Sequence, residues 1–249
     1  FVSVTNSIEF RNVWFAYRKD HYVLKNISFS IAAGETVALV GSTGAGKSTI
    51  INLLSRFYEI SEGNIFVDGI NIRELTLDSL RKNTGVVLQD VYLFNDTILN
   101  NITLNNPDIK EQEVVEATKQ IGLYDYILSL PGGLQYQVTE RGQSLSAGQR
   151  QLIAFIRAYV YQPSIFILDE ATATIDTQTE LLIQKAVKKI SEGRTSIIIA
   201  HRLSTIKHVN KILVFEKGEI TEQGSMQELM GKESRFKKLY ELQNAEVLG

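Results

Sequence analysis

The eight residues Gly41–Ser48 have the types and spacing of a phosphate-binding loop. They read GSTGAGKS and match the pattern G-x-x-x-x-G-K-[ST]. The glycines let backbone N–H groups turn toward phosphate oxygens, Lys47 adds a full positive charge, and Ser48 is expected to place its hydroxyl on Mg²⁺. The residues assigned to phosphate binding are Gly41, Ser42, Thr43, Gly44, Ala45, Gly46, Lys47, Ser48 and Thr49.

Two carboxylates, Asp169 and Glu170, follow the apolar run Ile165–Leu168. Residues at the carboxyl ends of parallel strands face the ligand crevice. We therefore expect Asp169 to lie on the metal side and Glu170 to polarise a water for in-line attack on a γ-phosphate. By itself the pair could merely cap the next helix. The phosphate loop in the same chain favours the catalytic interpretation.

A second glycine-containing segment, Leu145–Gln149, precedes a strongly amphipathic stretch. Ser146 and Gln149 fit the capping box S-x-x-Q at the start of a helix. Such a helix start can bind an anion but need not. From the residues alone, a capped helix and an anion site stay equally open.

Size and composition limit the class of protein. The chain has 249 residues, 44% of them hydrophobic, a formal net charge of −2 and no cysteine. This length allows a substantial core, and the charge gives no general reason to bind a polyanion such as DNA. The longest apolar runs fall far short of the roughly 20 residues that span a bilayer. Because the sequence starts at Phe1 without a signal-type segment, we expect it to be part of a longer chain.

Hydrophobic periodicity predicts the order of elements. Alternation in residues 13–17 and 27–31 predicts early β-structure, and residues 36–40 predict the strand before the phosphate loop. Ile50, Leu53, Leu54 and Phe57 recur with helical spacing after it. The pattern predicts later strands at 85–88, 164–168, 195–199 and 211–215, and helices around 114–121, 152–159, 183–190, 226–230 and 236–242.

These elements and the phosphate loop predict an α/β fold: a P-loop NTPase core with a parallel sheet, an N-terminal antiparallel β lobe and an inserted α-helical subdomain. The family resemblance that the motifs carry, given below, implies that this core is of the RecA-like type. The whole of 1–249 is expected to be one domain. Its catalytic core and β lobe comprise 1–88 and 163–249, and the helical subdomain with the second glycine-containing segment comprises 89–162.

Five motifs in this order resemble the nucleotide-binding domain of ATP-binding cassette (ABC) transporters. They are GSTGAGKS, VVLQD, LSAGQRQ, IFILDEATATID and IIIAHR, and the resemblance covers nearly the whole chain. It implies that ATP and Mg²⁺ bind here and that two such domains close head to tail. The signature loop of one domain then caps the ATP of the other, through Ser146, Ala147, Gly148 and Gln149. Ala147 stands where the family most often has glycine.

The resemblance also implies roles for single residues. Tyr17 matches the aromatic residue that stacks on adenine, and Gln89 matches the residue that reaches the metal and the attacking water. His201 matches the histidine that contacts the γ-phosphate. The implied catalytic set is Lys47, Gln89, Glu170 and His201, and the implied metal ligands are Ser48, Gln89 and Asp169.

Residues 89–102 and Glu140–Gly142 resemble the exporter branch of the family, in which such segments meet the membrane domains. Tyr92, Leu93 and Phe94 could form an exposed docking patch or belong to the subdomain core. The implied partners are a second nucleotide-binding domain, identical or different, and the transmembrane domains of the same transporter, at the cytoplasmic face of the cell membrane. The alternative is a soluble ABC-type ATPase acting on nucleic acid or ribosomes. We expect no nucleic acid, since the chain has no basic stripe.

Overall fold

Two β-sheets organise the part of the chain that the computed structural model describes, residues 3–169, 175–200 and 203–248. The strands are β1 Ser7–Arg18, β2 His21–Ala32, β3 Thr36–Gly41, β4 Glu62–Val67, β5 Ile70–Asn71, β6 Thr84–Val87, β7 Ile165–Asp169, β8 Thr195–Ile199, β9 Lys211–Glu216 and β10 Glu219–Gly224. The helices are α1 Lys47–Leu54, α2 Leu77–Lys82, α3 Ile98–Thr103, α4 Glu111–Gln120, α5 Tyr124–Ser129, α6 Ala147–Val160, α7 Thr177–Ser191, α8 Leu203–Ile206, α9 Met226–Met230 and α10 Arg235–Leu248. Two 3₁₀ turns lie at Gly133–Gln135 and Glu140–Gly142.

The larger sheet has the strand order β10-β9-β3-β8-β7-β6. Its five strands from β9 to β6 pair in parallel, and β10 pairs antiparallel with β9 at one edge. The smaller sheet, β2-β1-β4-β5, is antiparallel. The α/β core with a parallel sheet and the N-terminal antiparallel lobe are therefore confirmed.

The inner parallel strands β3, β7, β8 and β9 are buried on both faces, which explains their apolar runs. Along β7, Phe166 and Leu168 belong to one hydrophobic cluster, while Ile165 and Ile167 belong to the other. The first cluster also contains buried residues of α4, α6 and α7, and the second joins the sheet to α1 and the β lobe. The sheet thus separates two hydrophobic cores and contributes side chains to both.

Four helices, α3 to α6, lie between β6 and β7 in the chain. Among them α6 is the longest, and Leu152, Phe155 and Ile156 on it are fully buried. The helical character predicted for the stretch between these strands is confirmed. No described helix is both long and apolar enough to cross a bilayer.

The helix after the phosphate loop is shorter than its periodicity predicts. It ends at Leu54, and Phe57 is exposed, so the prediction that Phe57 belongs to its apolar face is wrong. Arg56 takes a left-handed conformation with φ 49°, and the N–H of Phe57 donates to Asn52 O at 2.9 Å. This is the Schellman arrangement that terminates helices. The Arg81 guanidinium lies 5.2 Å from the centre of the exposed Phe57 ring.

Several elements have no counterpart in the predicted pattern. Outside the helical stretch between β6 and β7, these are β4, β5, α2, α8 and β10. Strand β10 follows β9 through a two-residue turn at Lys217 and Gly218, both with positive φ. The exposed residues alternate with half-buried ones along β10, so it lacks the apolar run that marks the inner strands.

Candidate nucleotide site

The phosphate loop connects β3 to α1 at the carboxyl edge of the parallel sheet. Gly46 is the N-cap of α1 and has a φ of 103°, a left-handed conformation that favours glycine. A Cβ there would lie 2.6 Å from Leu24 Cδ2, so close packing requires glycine as well. No described side chain caps α1, and its first turn contains no acidic residue. An anion in the loop would therefore meet the positive end of the helix dipole.

The Lys47 side chain lies beneath the loop, with only 5% of the residue exposed. Its Nζ donates hydrogen bonds to Gly41 O at 2.7 Å and Ser42 O at 2.9 Å. Burial lowers the pKa of Lys47, and the nearby Asp169 carboxylate opposes that shift only in part. A buried ammonium of this kind is stabilised by an anionic ligand, because the phosphate replaces the water that burial removes.

Ser48 and Asp169 meet although they belong to different elements. The Ser48 hydroxyl donates to Asp169 Oδ2 at 3.2 Å, from the first turn of α1 to the end of β7. A hydroxyl and a carboxylate are oxygen ligands of the kind that Mg²⁺ prefers, and Mg²⁺ usually takes few protein ligands beside substrate phosphates. In the described part of the chain no group of three or more His, Cys, Asp or Glu side chains is placed to hold a metal. The pair therefore fits Mg²⁺ held jointly with a nucleotide.

Gln89 lies at the same edge of the sheet as Asp169. It is exposed and follows β6 by two residues, and Val87 at the end of β6 pairs with Leu168. The structure therefore brings Gln89 to the edge where its predicted role as a metal and water ligand requires it. That role stays a prediction.

Glu170 and His201 lie outside the described residues. Glu170 directly follows Asp169, and His201 comes two residues after Ile199, the last residue of β8. Ile199 pairs with Leu39 on one side and with Asp169 on the other. Strands β7 and β8, which precede these two positions in the chain, are therefore neighbours in the sheet. The catalytic roles of Glu170 and His201 stay predictions.

Tyr17, near the end of β1, lies beside α1 and is 45% exposed. Its hydroxyl donates to Thr49 Oγ1 at 3.3 Å and accepts from Asn52 Nδ2 at 3.0 Å. The Tyr17 ring therefore lies next to α1, the helix that begins at the phosphate loop. This is the position that a residue stacking on the base of a bound nucleotide needs. Sequence reasoning missed Asn52. Its position four residues after Ser48, on the same helix face, was the available signal.

The capping box predicted at the signature segment is confirmed. The N–H of Ser146 donates to Gln149 Oε1 at 2.9 Å, and the N–H of Gln149 donates to Ser146 Oγ at 3.2 Å. A Cβ on Gly148 would lie 2.7 Å from Thr179 Cγ2 and 2.9 Å from Ile175 Cγ2. Gly148 therefore has a packing role, the close approach of α6 and α7, which sequence reasoning did not foresee. The part in nucleotide binding given to Ser146, Ala147, Gly148 and Gln149 stays a prediction.

The first exporter-like segment packs against residues 136–142, the last three of which are the second segment. The Ile98 N–H donates to Tyr136 O and the Val138 N–H donates to Asp96 O, both at 3.0 Å. Further along the chain, a Cβ on Gly142 would lie 3.3 Å from Leu93 Cδ1. Residues 93–98 and 136–142 therefore form one unit, immediately before the signature helix.

Residues 92–94 divide between the two alternatives that the sequence left open. Tyr92 and Phe94 are 54% and 53% exposed, and their rings meet edge to face at 5.2 Å. Leu93 is completely buried in the hydrophobic cluster of the helical region, so it belongs to the core and not to an exposed patch. Leu93 lies beside Gly142, whereas the side chains before and after it remain exposed.

A sheet of this topology, with a phosphate loop after β3 and a carboxylate at the end of β7, defines a P-loop nucleotide-binding protein. Residues 24–173 match the family described as ABC transporter. The chain belongs to the ABC transporter family, and it is an ATP-binding ATPase domain of that family.

Similar proteins agree with this assignment. A Bacillus subtilis protein described as the probable multidrug resistance ABC transporter ATP-binding/permease protein YheH is 49% identical over 96% of this chain and 36% of its own length. An ATP-dependent lipid A-core flippase from Legionella pneumophila (strain Paris) is 47% identical over 96% of this chain and 41% of its own length. The structure of a bacterial Atm1-family ABC exporter with ATP bound matches with a TM-score of 0.89 and 42% identity, over 98% of this chain and 42% of that chain.

The chain spans less than half the length of these relatives. Their descriptions name a probable multidrug resistance ABC transporter, a lipid A-core flippase and an ABC exporter, and none of the three descriptions mentions nucleic acid or ribosomes. The alternative of a soluble ATPase acting on nucleic acid gains no support.

Proposed function

We propose that this domain dimerises around ATP and hydrolyses it to drive export through attached transmembrane domains. The observation that carries the proposal is the 3.2 Å approach of Ser48 Oγ to Asp169 Oδ2 beside the buried Lys47 ammonium. This arrangement provides one cation and two oxygen ligands where a nucleotide triphosphate and its metal need them.

Each residue at the sheet edge has a distinct task in this proposal. Lys47 neutralises charge on the β- and γ-phosphates, and Ser48, Asp169 and Gln89 hold Mg²⁺. When bound, Mg²⁺ would withdraw charge from the phosphate oxygens. Glu170 orients the attacking water and accepts its proton, while His201 fixes the position of the γ-phosphate.

The base and the phosphates are bound by different elements. Tyr17 stacks on adenine, and the phosphate loop with Thr49 receives the triphosphate. The hydroxyl contact between Tyr17 and Thr49 joins these two parts of the site.

The signature segment serves the nucleotide of a second domain. Ser146 is exposed, and its side chain and N–H form the capping box with Gln149. The Ser146 hydroxyl and the start of the 14-residue helix α6 are therefore accessible to the phosphates of a facing subunit. The second domain is either a copy of this chain or a different one.

Two exposed surfaces are suited to contact the transmembrane domains at the cytoplasmic face of the membrane. One is the pair Tyr92 and Phe94. The other is a groove of about 600 Å³ between α2 and the end of α6, with Leu77, Leu104 and Tyr161 exposed along it. Both belong to or border residues 89–162, which we propose as the helical subdomain, with 1–88 and 163–249 forming the catalytic core and β lobe.

The variant Glu170→Gln tests the proposal because it keeps the side-chain size but removes the water-activating carboxylate. We expect it to bind Mg-ATP without turnover and to elute from gel filtration as a dimer, whereas the same variant with ADP elutes as a monomer. Adding Ser146→Arg, which places a bulky cation at the signature segment, should return the ATP-loaded variant to monomer. A Glu170→Gln variant that stays monomeric with ATP, or that hydrolyses ATP at the wild-type rate, would refute the proposal.

A further inference from the structure

The Tyr17 hydroxyl is held by two residues of the helix that carries the phosphate loop. It donates to Thr49 Oγ1 and accepts from the Asn52 side-chain amide, at 3.3 and 3.0 Å. Thr49 directly follows Ser48, and Asn52 lies one turn further along α1. A residue of the β lobe is therefore tied to the same rigid element that presents Ser48 to the metal.

Aromatic neighbours restrict the Tyr17 ring further. Phe15 meets it edge to face at 4.7 Å and 88°, and Tyr58 does so at 4.9 Å and 89°. Phe15 is buried, whereas Tyr58 is exposed. The ring thus has packed neighbours on two sides and a fixed hydroxyl, yet remains 45% exposed, which leaves ring surface available to a ligand.

We propose that Asn52 is a positioning residue for nucleotide binding: it orients the Tyr17 ring and so sets the distance between the base and the phosphate loop. The inference rests on the proposed function, since it assumes that the base of ATP stacks on Tyr17. Asn52 does not touch the nucleotide. It acts by preparing the ring, because a side chain already held in its binding geometry loses less freedom when the ligand arrives.

The alternative is that Asn52 contributes only to the stability of α1 and of the phosphate loop. The two roles differ in which ligands they affect. A base-positioning residue affects ligands that carry a base, whereas a residue that supports the loop affects every ligand with phosphates. Inorganic tripolyphosphate has the phosphates of ATP and no base, so it separates the two.

The experiment compares dissociation constants of ATP and of tripolyphosphate by isothermal titration calorimetry, for this chain and for Asn52→Ala. Loss of one neutral hydrogen bond predicts an ATP dissociation constant raised about three- to fivefold. The constant for tripolyphosphate should stay within about twofold of wild type, and kcat at saturating ATP should not change. Tyr17→Phe should weaken ATP binding at least as much, and Asn52→Ala should add little in the Tyr17→Phe background, since the hydroxyl that Asn52 contacts is already gone.

Gln227→Ala provides a matched control, because it removes an exposed side-chain amide from another helix, α9. It should change neither constant, and the melting temperatures of all variants should agree. The proposal is overturned if Asn52→Ala leaves ATP binding unchanged while Tyr17→Ala weakens it, or if Asn52→Ala weakens ATP and tripolyphosphate equally. Neither result bears on the proposed function, which fails if the wild-type chain binds no ATP or if the Glu170→Gln variant gives either of the contrary results stated above.

Discussion

Ser48 and Asp169 are 121 positions apart in the chain, and their side-chain oxygens lie 3.2 Å from each other. The sheet brings them together: Ser48 follows β3, Asp169 ends β7, and β8 pairs in parallel with both strands. Because parallel strands end at one edge, residues that follow different strands share a single site.

Replacing Asp169 by Asn should remove most Mg²⁺-dependent hydrolysis, because the amide lacks the negative charge that holds the cation. Loss of metal stabilisation predicts a fall of at least about a hundredfold in kcat/KM. Titrating ATPase activity with Mg²⁺ checks this. Asp125→Asn, at an exposed position on α5, is the matched control and should keep wild-type activity. If the ATPase activities of Asp169→Asn and Asp125→Asn depended equally on Mg²⁺, the assignment of Asp169 as a metal ligand would be contradicted.

Lys47→Met should separate activity from stability. Burial lowers the pKa of Lys47 below its ordinary 10.5, so the folded chain releases this proton at lower pH than the unfolded chain. The free energy of unfolding of the wild type should therefore rise as the pH increases through that lowered pKa toward 10.5. The methionine variant lacks this rise, and without nucleotide its melting temperature at pH 7 should be close to wild type.

In the same Lys47→Met variant, kcat/KM for ATP should fall at least about a hundredfold, since no charge opposes that of the phosphates. Thermal melting across pH 8 to 10 and a phosphate-release assay measure the two effects. A Lys47→Met variant with a much lower melting temperature than wild type and an unchanged kcat/KM would contradict both expectations.

Gly148→Ala should destabilise the packing of α6 on α7, because the new methyl group would approach Thr179 Cγ2 at 2.7 Å. Overpacking of this kind costs about 1–3 kcal/mol in the free energy of unfolding. Adding Thr179→Ser, which deletes that methyl group and keeps the hydroxyl, should restore part of the loss. Urea unfolding of the single and double variants measures it. A double variant that is less stable than the sum of the two single changes would exclude the steric explanation.

Acid should destabilise the β lobe through Asp68. Burial opposes ionisation of its carboxylate, but hydrogen bonds from the backbone N–H groups of Thr5, Asn6 and Ser7 and from the Thr5 hydroxyl outweigh it, so the pKa of Asp68 is lowered. A lowered pKa means stability that is present above the ordinary value of 3.8 and is lost as the pH falls through the folded-state value.

Asp68→Asn keeps the size of the side chain and tolerates the left-handed backbone, φ 51°, but does not titrate. It should lower the unfolding free energy at pH 7 by about 1 kcal/mol. The difference from wild type should then shrink as the pH is lowered below 4. Thermal melts between pH 7 and pH 3 give the comparison, and a difference that stays constant over this range would show that the carboxylate charge is irrelevant.

Leu93 and its neighbours should respond differently to truncation. Leu93→Ala removes a completely buried side chain and should cost about 2–4 kcal/mol of stability. Tyr92→Ala combined with Phe94→Ala changes exposed rings, so the isolated domain should keep its stability and its ATPase rate. In the whole transporter, the same double variant should lose stimulation of ATPase activity by the transported substrate. Normal stimulation would remove Tyr92 and Phe94 from the proposed docking surface.

Local sequence patterns determined the phosphate loop, the inner strands and the capped start of α6. The reason is that these features depend on short-range rules: glycine at positive φ in Gly46, unbroken apolar runs such as β7, and the S-x-x-Q spacing of Ser146 and Gln149. The edge strand β10 lacked such a pattern because its residues alternate between exposed and half-buried and none is fully buried.

Tertiary structure alone decided which residues meet. The pairing of strands set Asp169 beside Ser48, and packing between the β lobe and α1 joined Tyr17 to Asn52. The burial of Leu93 between exposed neighbours and the close approach of Gly148 to Thr179 also depend on partners distant in the chain. Periodicity reports which face of an element is apolar, but the identity of the surface that covers this face is a property of the whole fold.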